Sequence, residues 1–173
     1  MKKCLIVVDY QNDFVDGLLG FDEAPKLDEV IASIVEEYHE NGDEVIFTMD
    51  THDNKYLETQ EGKSLPVVHC LEMSHGQELY GKTKESYDDD LIFKKNTYGS
   101  IDLFNYLKTK NYESITFVGV VTNICVMSNA VLAKTALPEV PIYIKKTGVG
   151  SNDAKLNEEA LDVMRSLNMI IIE

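Results

Sequence analysis

The sequence predicts an α/β protein in which helices cover both faces of a six-stranded, mostly parallel sheet. Apolar runs of strand length alternate with segments whose apolar residues recur at helical spacing. This alternation is typical of βαβ units, which build three-layer, doubly wound folds. The 173 residues are enough for one sizeable core and too few for two, so we expect a single domain over residues 1–173.

The predicted elements follow one another along the chain, with one long interruption. In the first helix, residues 26–42, the apolar residues from Leu27 to Val35 share one face, and Gly42 is placed to end it. Residues from about 51 to 90 have no regular pattern, and loops of that length are often functional. The strands are predicted at 4–10, 43–50, 90–95, 114–120, 140–147 and 168–173, and the other helices at 100–111, 122–137 and 157–167.

Composition narrows the classes of function. The net charge of -14 argues against nucleic acid or an anionic membrane as a partner. No apolar run approaches the length of a membrane span, and the N-terminus turns acidic too early for a secretory leader, so we expect a cytoplasmic protein. The three cysteines show no CxxC spacing, which favours free thiols, and one of them could be a nucleophile.

Chemically active residues follow several of the predicted strands. Asp9 follows the first strand, Asp50 the second, Lys94 and Lys95 the third, and the stretch 122–125 the fourth. Ligands of open α/β sheets bind at the carboxyl ends of the strands. We therefore expect an acid, a base and a thiol to meet at this edge.

Cys125 stands at the start of the helix predicted at 122–137. If Thr122 is the N-cap, Cys125 lies in the first turn, where free N–H groups and the helix dipole lower the pKa of a thiol. The same N–H groups can bind an oxyanion. A buried, inert thiol is the alternative. Asp9 as proton acceptor, with a lysine holding it ionised, favours the nucleophile.

Three stretches in order, "VVDYQNDF", "KKNTYGS" and "GVVTNICV", resemble the isochorismatase-like cysteine hydrolases, and within them the nicotinamidase/pyrazinamidase branch. The resemblance covers nearly the whole chain and implies the isochorismatase-like hydrolase fold. It implies that Asp9 is the general base, that Cys125 is the nucleophile, and that Lys95 rather than Lys94 completes the catalytic triad.

The same resemblance implies the surroundings of the nucleophile. It implies a cis peptide between Val120 and Val121, so that the N–H groups of Val121 and Cys125 bind the oxyanion. It also implies that Phe14 lines the substrate pocket, and we expect Tyr98 nearby.

A metal site is expected in the long segment. Asp50 and His52 are two residues apart, so an extended backbone points both the same way. With His69, they match the metal ligands of the nicotinamidase branch, and carboxylate with imidazole suits Zn, Fe or Mn. The expected cofactor is one divalent metal per chain. The fourth ligand varies in the branch; Glu61 is the first candidate here and Glu58 the second. The aromatic-proline patterns common around these ligands are absent.

These expectations describe an amidohydrolase that converts nicotinamide or pyrazinamide to the acid and ammonia through a cysteine thioester. One alternative is a family hydrolase of another small amide or carbamoyl substrate, with or without a metal. A second is a metal-binding relative without turnover. The expected partner is a small-molecule amide, and a homo-oligomer is compatible with the resemblance.

Overall fold

A computed structural model describes residues 1–173 of the chain. Its six strands form one sheet in the order β3-β2-β1-β4-β5-β6, and every neighbouring pair is parallel, as the predicted fold class requires. The strands are β1 (Cys4–Val8), β2 (Glu44–Asp50), β3 (Leu91–Lys95), β4 (Ile115–Val120), β5 (Ile142–Gly150) and β6 (Ile170–Ile172).

Seven α-helices connect and cover the strands. The helix predicted over 26–42 is α2, and Gly42, with φ of 71°, ends it as expected. The helix predicted over 122–137 begins with a π-helical turn (Thr122–Val126) before α6. The helices are α1 (Asn12–Val15), α2 (Asp28–Glu40), α3 (Gln60–Ser64), α4 (Gly81–Glu85), α5 (Ile101–Leu107), α6 (Met127–Ala136) and α7 (Ala154–Ser166).

The core lies in two layers, one on each face of the sheet. Successive residues of a strand point to opposite faces, so Ile6 of β1 packs with α5, α6 and α7, while Val7 packs with α2. All five residues of β1 are buried, as expected for a central parallel strand covered on both faces.

The strand order reverses between β1 and β4, which pair side by side at the centre of the sheet. Gly119 of β4 has φ of 112°, and a Cβ there would lie 2.0 Å from the Val8 carbonyl oxygen. Only glycine fits this close approach. In doubly wound sheets such a switch point, at the carboxyl ends of the strands, is the usual place for a ligand.

The segment predicted as irregular, residues 51–90, contains four short helical pieces. Two are α3 and α4, and two are 3₁₀ turns, Tyr56–Glu58 and His75–Gln77. Side-chain caps from Thr59 and Ser74 start two of them, and such short capped turns carry too little periodicity to be read from sequence. No helix in the chain combines the length and apolar character needed to cross a membrane.

Candidate active site

Three strand ends bring Asp9, Lys95 and Cys125 together. Lys95, the last residue of β3, places Nζ 2.6 Å from Asp9 Oδ2 and 3.7 Å from Cys125 Sγ. All three residues are buried. Lys94, the other candidate, is more than half exposed and faces Glu72 at 3.9 Å. The structure therefore places Lys95, and not Lys94, between the acid and the thiol.

Asp9 is held by its backbone and by Thr48 of β2. Its φ of 47° turns the chain away from β1, and its N–H donates to the Thr48 carbonyl at 3.1 Å. The Thr48 hydroxyl donates to Asp9 Oδ1 at 2.6 Å, which leaves Oδ2 for Lys95. The Asp9 carboxylate is thereby fixed in one orientation.

The charges of the trio follow from burial and contact. Burial raises the pKa of Asp9, and the neighbouring Lys95 ammonium opposes that rise. Burial alone would lower the pKa of Lys95, but the negative charge of Asp9 and its other acidic neighbours raises it, so Lys95 stays an ammonium. The 2.6 Å contact thus joins the Asp9 carboxyl group to an ammonium.

The expectation of a lowered thiol pKa at Cys125 is wrong. Burial and the charge of Asp9 raise the pKa of the Cys125 thiol, and Lys95 only partly compensates. The free protein therefore holds a neutral thiol, which shares Lys95 with the Asp9 carboxyl group. The helix start does not produce a standing thiolate.

The expected N-cap at Thr122 is also wrong. Thr122 Oγ1 is buried without a hydrogen-bond partner, and the residue lies inside the π-helical turn, which Val121 precedes as N-cap. In this wider turn the Val126 N–H reaches back to the Val121 carbonyl at 3.2 Å. Cys125 still lies within the first turn, near the end of β4.

The peptide bond between Val120 and Val121 is cis. The N–H of Val121 donates to no carbonyl or side-chain acceptor of the protein. Val120, Val121 and Cys125 all line the same cavity. The donors expected to bind an oxyanion therefore lie beside the thiol.

The cluster of possible metal ligands comprises Asp50, His52, Glu61 and His69, whose ligand atoms all lie within 4.8 Å of one another. Asp50 Oδ2 is 2.9 Å from His52 Nε2 and 3.3 Å from His69 Nε2. Glu61 Oε1, from α3, is 4.0 and 3.9 Å from the same two nitrogens. The runner-up Glu58 is exposed and outside the cluster, so the structure favours Glu61.

The donor set of this cluster fits a divalent transition metal. Two imidazoles and two carboxylates are a common ligand combination for Zn, Fe or Mn. His69 Nδ1 lies 2.7 Å from the Val67 carbonyl oxygen, an outer contact that directs Nε2 to the cluster. Burial alone would raise the pKa of Asp50, but hydrogen bonds with His52 and His69 and the charge of Lys95 lower it, so a ligating carboxylate is available.

Asp50 links the cluster to the trio of Asp9, Lys95 and Cys125. It is the last residue of β2, paired in register with Lys95 of β3. Its Oδ1 lies 3.7 Å from Lys95 Nζ, while Oδ2 faces the two histidines. One carboxylate therefore belongs to both groups.

A cavity of about 230 Å³ opens onto the thiol and the cluster together. Phe14 and Tyr98 both line it, as expected, and Phe14 packs edge-on against His69. Four further lining residues were not predicted from the sequence: Leu19, Leu65 and Asn152, which lie outside the three motifs, and Ile124, which lies within the third. It also assigned nothing to Gln11, although that residue stands within "VVDYQNDF".

A doubly wound sheet with an acid and a thiol at its switch point, and a lysine from β3 beside both, has the layout of a hydrolase of the α/β class. The Isochorismatase domain model matches residues 3–173, so the chain belongs to the isochorismatase family, as the motifs predicted. It is an amide-hydrolysing enzyme of that family.

Three relatives illustrate the likeness. An uncharacterized isochorismatase family protein PncA from Bacillus subtilis is 32% identical over 143 residues, which are 76% of this chain and 78% of that one. The crystal structure of nicotinamidase/pyrazinamidase PncA from Bacillus subtilis has a TM-score of 0.89 and 29% identity, with 100% of both chains covered. Pyrazinamidase of Pyrococcus horikoshii in complex with zinc, at 24% identity, has a TM-score of 0.88 and covers 100% of this chain and 99% of its own; this likeness shows the fold.

Proposed function

We propose that the chain hydrolyses nicotinamide, or the related pyrazinamide, to the free acid and ammonia through a thioester on Cys125. One observation carries the proposal. The thiol of Cys125 and the cluster of Asp50, Glu61 and His69 line a single cavity, beside the aromatic ring of Phe14. A flat heteroaromatic amide has a ring to pack and bind, and a carboxamide to present to the thiol.

The first half-reaction forms the thioester. Asp9 and Cys125 both contact Lys95, which holds them in place while Asp9 accepts the proton of the thiol. The sulfur then attacks the carboxamide carbon. The oxyanion accepts hydrogen bonds from the N–H groups of Val121 and Cys125. Asp9 returns the proton to the leaving nitrogen, the C–N bond breaks, and ammonia departs.

The second half-reaction releases the acid. Asp9 takes a proton from a water molecule, which attacks the thioester carbon, and the same N–H groups bind the second oxyanion. The C–S bond breaks, the thiol is reprotonated, and nicotinate leaves. Because Lys95 contacts both Asp9 and Cys125, its ammonium stabilises whichever of the two carries the negative charge.

Asp50, His52, Glu61 and His69 would hold the divalent metal. When bound, it supplies Lewis acidity toward a ring nitrogen, which orients the ring and withdraws electrons from the carboxamide. Phe14 packs against the ring on this side of the cavity, since it already contacts His69.

The test is ammonia release from nicotinamide by the wild type, Cys125→Ala and the control Cys4→Ala. Cys4 is an equally buried cysteine on β1 in the hydrophobic core. We expect the wild type and Cys4→Ala to release ammonia and Cys125→Ala to release none above background. Substantial turnover by Cys125→Ala would contradict the mechanism. If ammonia is released only from other small amides or carbamoyl compounds, and this release depends on Cys125, the proposed substrate is contradicted. The proposed cysteine chemistry then still stands.

A further inference from the structure

Gln11 is a fully buried amide between Asp9 and α1 that has no part in the chemistry above. Its side chain makes three hydrogen bonds. Nε2 donates to the carbonyl oxygens of Asp50 at 2.9 Å and Gln77 at 2.7 Å, and Oε1 accepts from the Asp50 N–H at 2.8 Å. The amide therefore satisfies both backbone polar groups of Asp50.

These contacts continue the hydrogen bonding of β2 beyond the point where β1 ends. β1 pairs with β2 as far as Val8 opposite Thr48, and the Asp9 N–H then donates to the Thr48 carbonyl. At Asp9 the chain turns away from the sheet with φ of 47°. Two residues further along β2, the Gln11 side chain gives Asp50 the donor and acceptor that another strand residue would have supplied.

The backbone of Gln11 also closes the turn that carries Asp9. Its N–H donates to the Asp9 carbonyl at 2.9 Å. One residue is thus bonded to the turn bearing the general base and to the strand end bearing Asp50. The Asp50 carboxylate in turn lies between Lys95 and the two histidines.

We propose that Gln11 is a positioning residue that holds Asp50 where its carboxylate serves the metal cluster and Lys95 at once. The inference rests on the metal site of the proposed function. Without the Gln11 amide, the N–H and carbonyl of Asp50 and the carbonyl of Gln77 would be buried without partners. The end of β2 would shift to regain them, and the ligand geometry would be lost with it.

The test compares Gln11→Met with Asn129→Leu for Zn²⁺ affinity, measured by competition with a chromophoric chelator. Asn129 is an equally buried amide with three hydrogen bonds, to Ser100, Tyr98 and Cys125, and none to a metal ligand. Both substitutions keep the approximate side-chain volume and remove the amide. Circular dichroism and the melting temperature of each metal-free variant report whether it folds.

We expect Gln11→Met to weaken Zn²⁺ binding by about 10- to 100-fold, the usual cost of losing an outer partner of a metal site, and Asn129→Leu by less than about threefold. Equal affinities for Gln11→Met and the wild type would overturn the proposal. So would an equal loss in both variants, or a wild type that does not bind Zn²⁺.

A second variant guards against misfolding of the first. Gln11→Glu keeps an oxygen for the Asp50 N–H and loses the two donated bonds, and we expect it to weaken Zn²⁺ binding in the same direction; wild-type affinity would overturn the proposal. Turnover of nicotinamide is measured separately on the wild type. A wild type that binds Zn²⁺ without releasing ammonia would contradict the proposed substrate. The Zn²⁺ affinities of the variants would then still decide the role of Gln11.

Discussion

The cavity has two walls that are built in different ways. At the strand-end wall Cys125 lines the cavity, and Asp9 and Lys95 lie buried beside it; the three residues come at or after the ends of β4, β1 and β3. At the loop wall Glu61 and His69 line the cavity, with His52 beside them. All three come from the segment between β2 and β3, and the Thr59 side chain caps α3, the helix that carries Glu61. The proposed reacting groups thus lie at or after strand ends, and the proposed metal ligands other than Asp50 lie on the segment between β2 and β3, which can vary without altering the fold.

The largest expected effect is a loss of turnover from a substitution in the strand-end wall that leaves metal binding unchanged. Asp9→Asn removes the proton acceptor and keeps the shape of the side chain, so we expect kcat for nicotinamide to fall about 10²- to 10⁴-fold, the usual range for a general base. The loop wall stays intact, and Zn²⁺ affinity should change by less than about threefold. The control is Asp28→Asn, a buried acid that accepts hydrogen bonds from two N–H groups in the first turn of α4 and does not line the cavity. A variant that keeps half of its turnover would remove Asp9 from the mechanism.

The converse substitution acts on the loop wall. His69→Ala deletes a proposed metal ligand, and we expect Zn²⁺ affinity to fall by at least about 100-fold, since losing an outer partner alone costs 10- to 100-fold. Alkylation of Cys125 by iodoacetamide, followed by mass spectrometry, should keep its rate within about twofold. His39→Ala is the control, because His39 pairs with Asp90 away from the cluster. Unchanged Zn²⁺ affinity in His69→Ala would mean that the loop wall is not a metal site.

A third substitution tests how rigid the strand-end wall is. Gly119→Ala forces a Cβ to within 2.0 Å of the Val8 carbonyl oxygen at a φ of 112°. We expect the free energy of unfolding to fall by about 1–3 kcal/mol or more, measured by denaturant titration. Gly42→Ala also has a positive φ, but its Cβ would meet nothing within 4 Å, so its loss should be smaller. Equal losses would show that the β1–β4 contact is not close-packed.

The smallest expected effect concerns the charge of the thiol. Since burial and Asp9 raise the pKa of Cys125, the thiol is neutral at pH 7 and ionises only as the pH rises. The rate of its alkylation by iodoacetamide should therefore be slower at pH 7 than that of an unstructured cysteine peptide, and should climb through pH 9. A rate that is already at its plateau at pH 7 would show a standing thiolate.

The two walls also differ in what the sequence could reveal. Strand periodicity locates the strand ends that carry Asp9, the pair Lys94 and Lys95, and Cys125, and parallel strands bring those ends to one edge. The choice of Lys95 over Lys94 comes from the family resemblance. Glu61 could only be ranked above Glu58, because α3 has too few residues for a periodic signal. The errors at Thr122 and in the thiol pKa have one cause. The sequence indicates a helix start, but it does not reveal a π-helical turn or the burial of Cys125 beside Asp9.

Asp50 joins both walls into a single site only if its carboxylate serves the metal cluster and Lys95 at once. The direct measurement is the initial rate of ammonia release from nicotinamide by the purified enzyme, taken as isolated, after chelation, and after Zn²⁺, Mn²⁺ or Fe²⁺ is added back. We expect chelation to lower the rate and one of these metals to restore it in the wild type, whereas Cys125→Ala stays inactive throughout. A rate of release that is the same with and without chelator would contradict a single site. Only the cysteine chemistry of the strand-end wall would then remain.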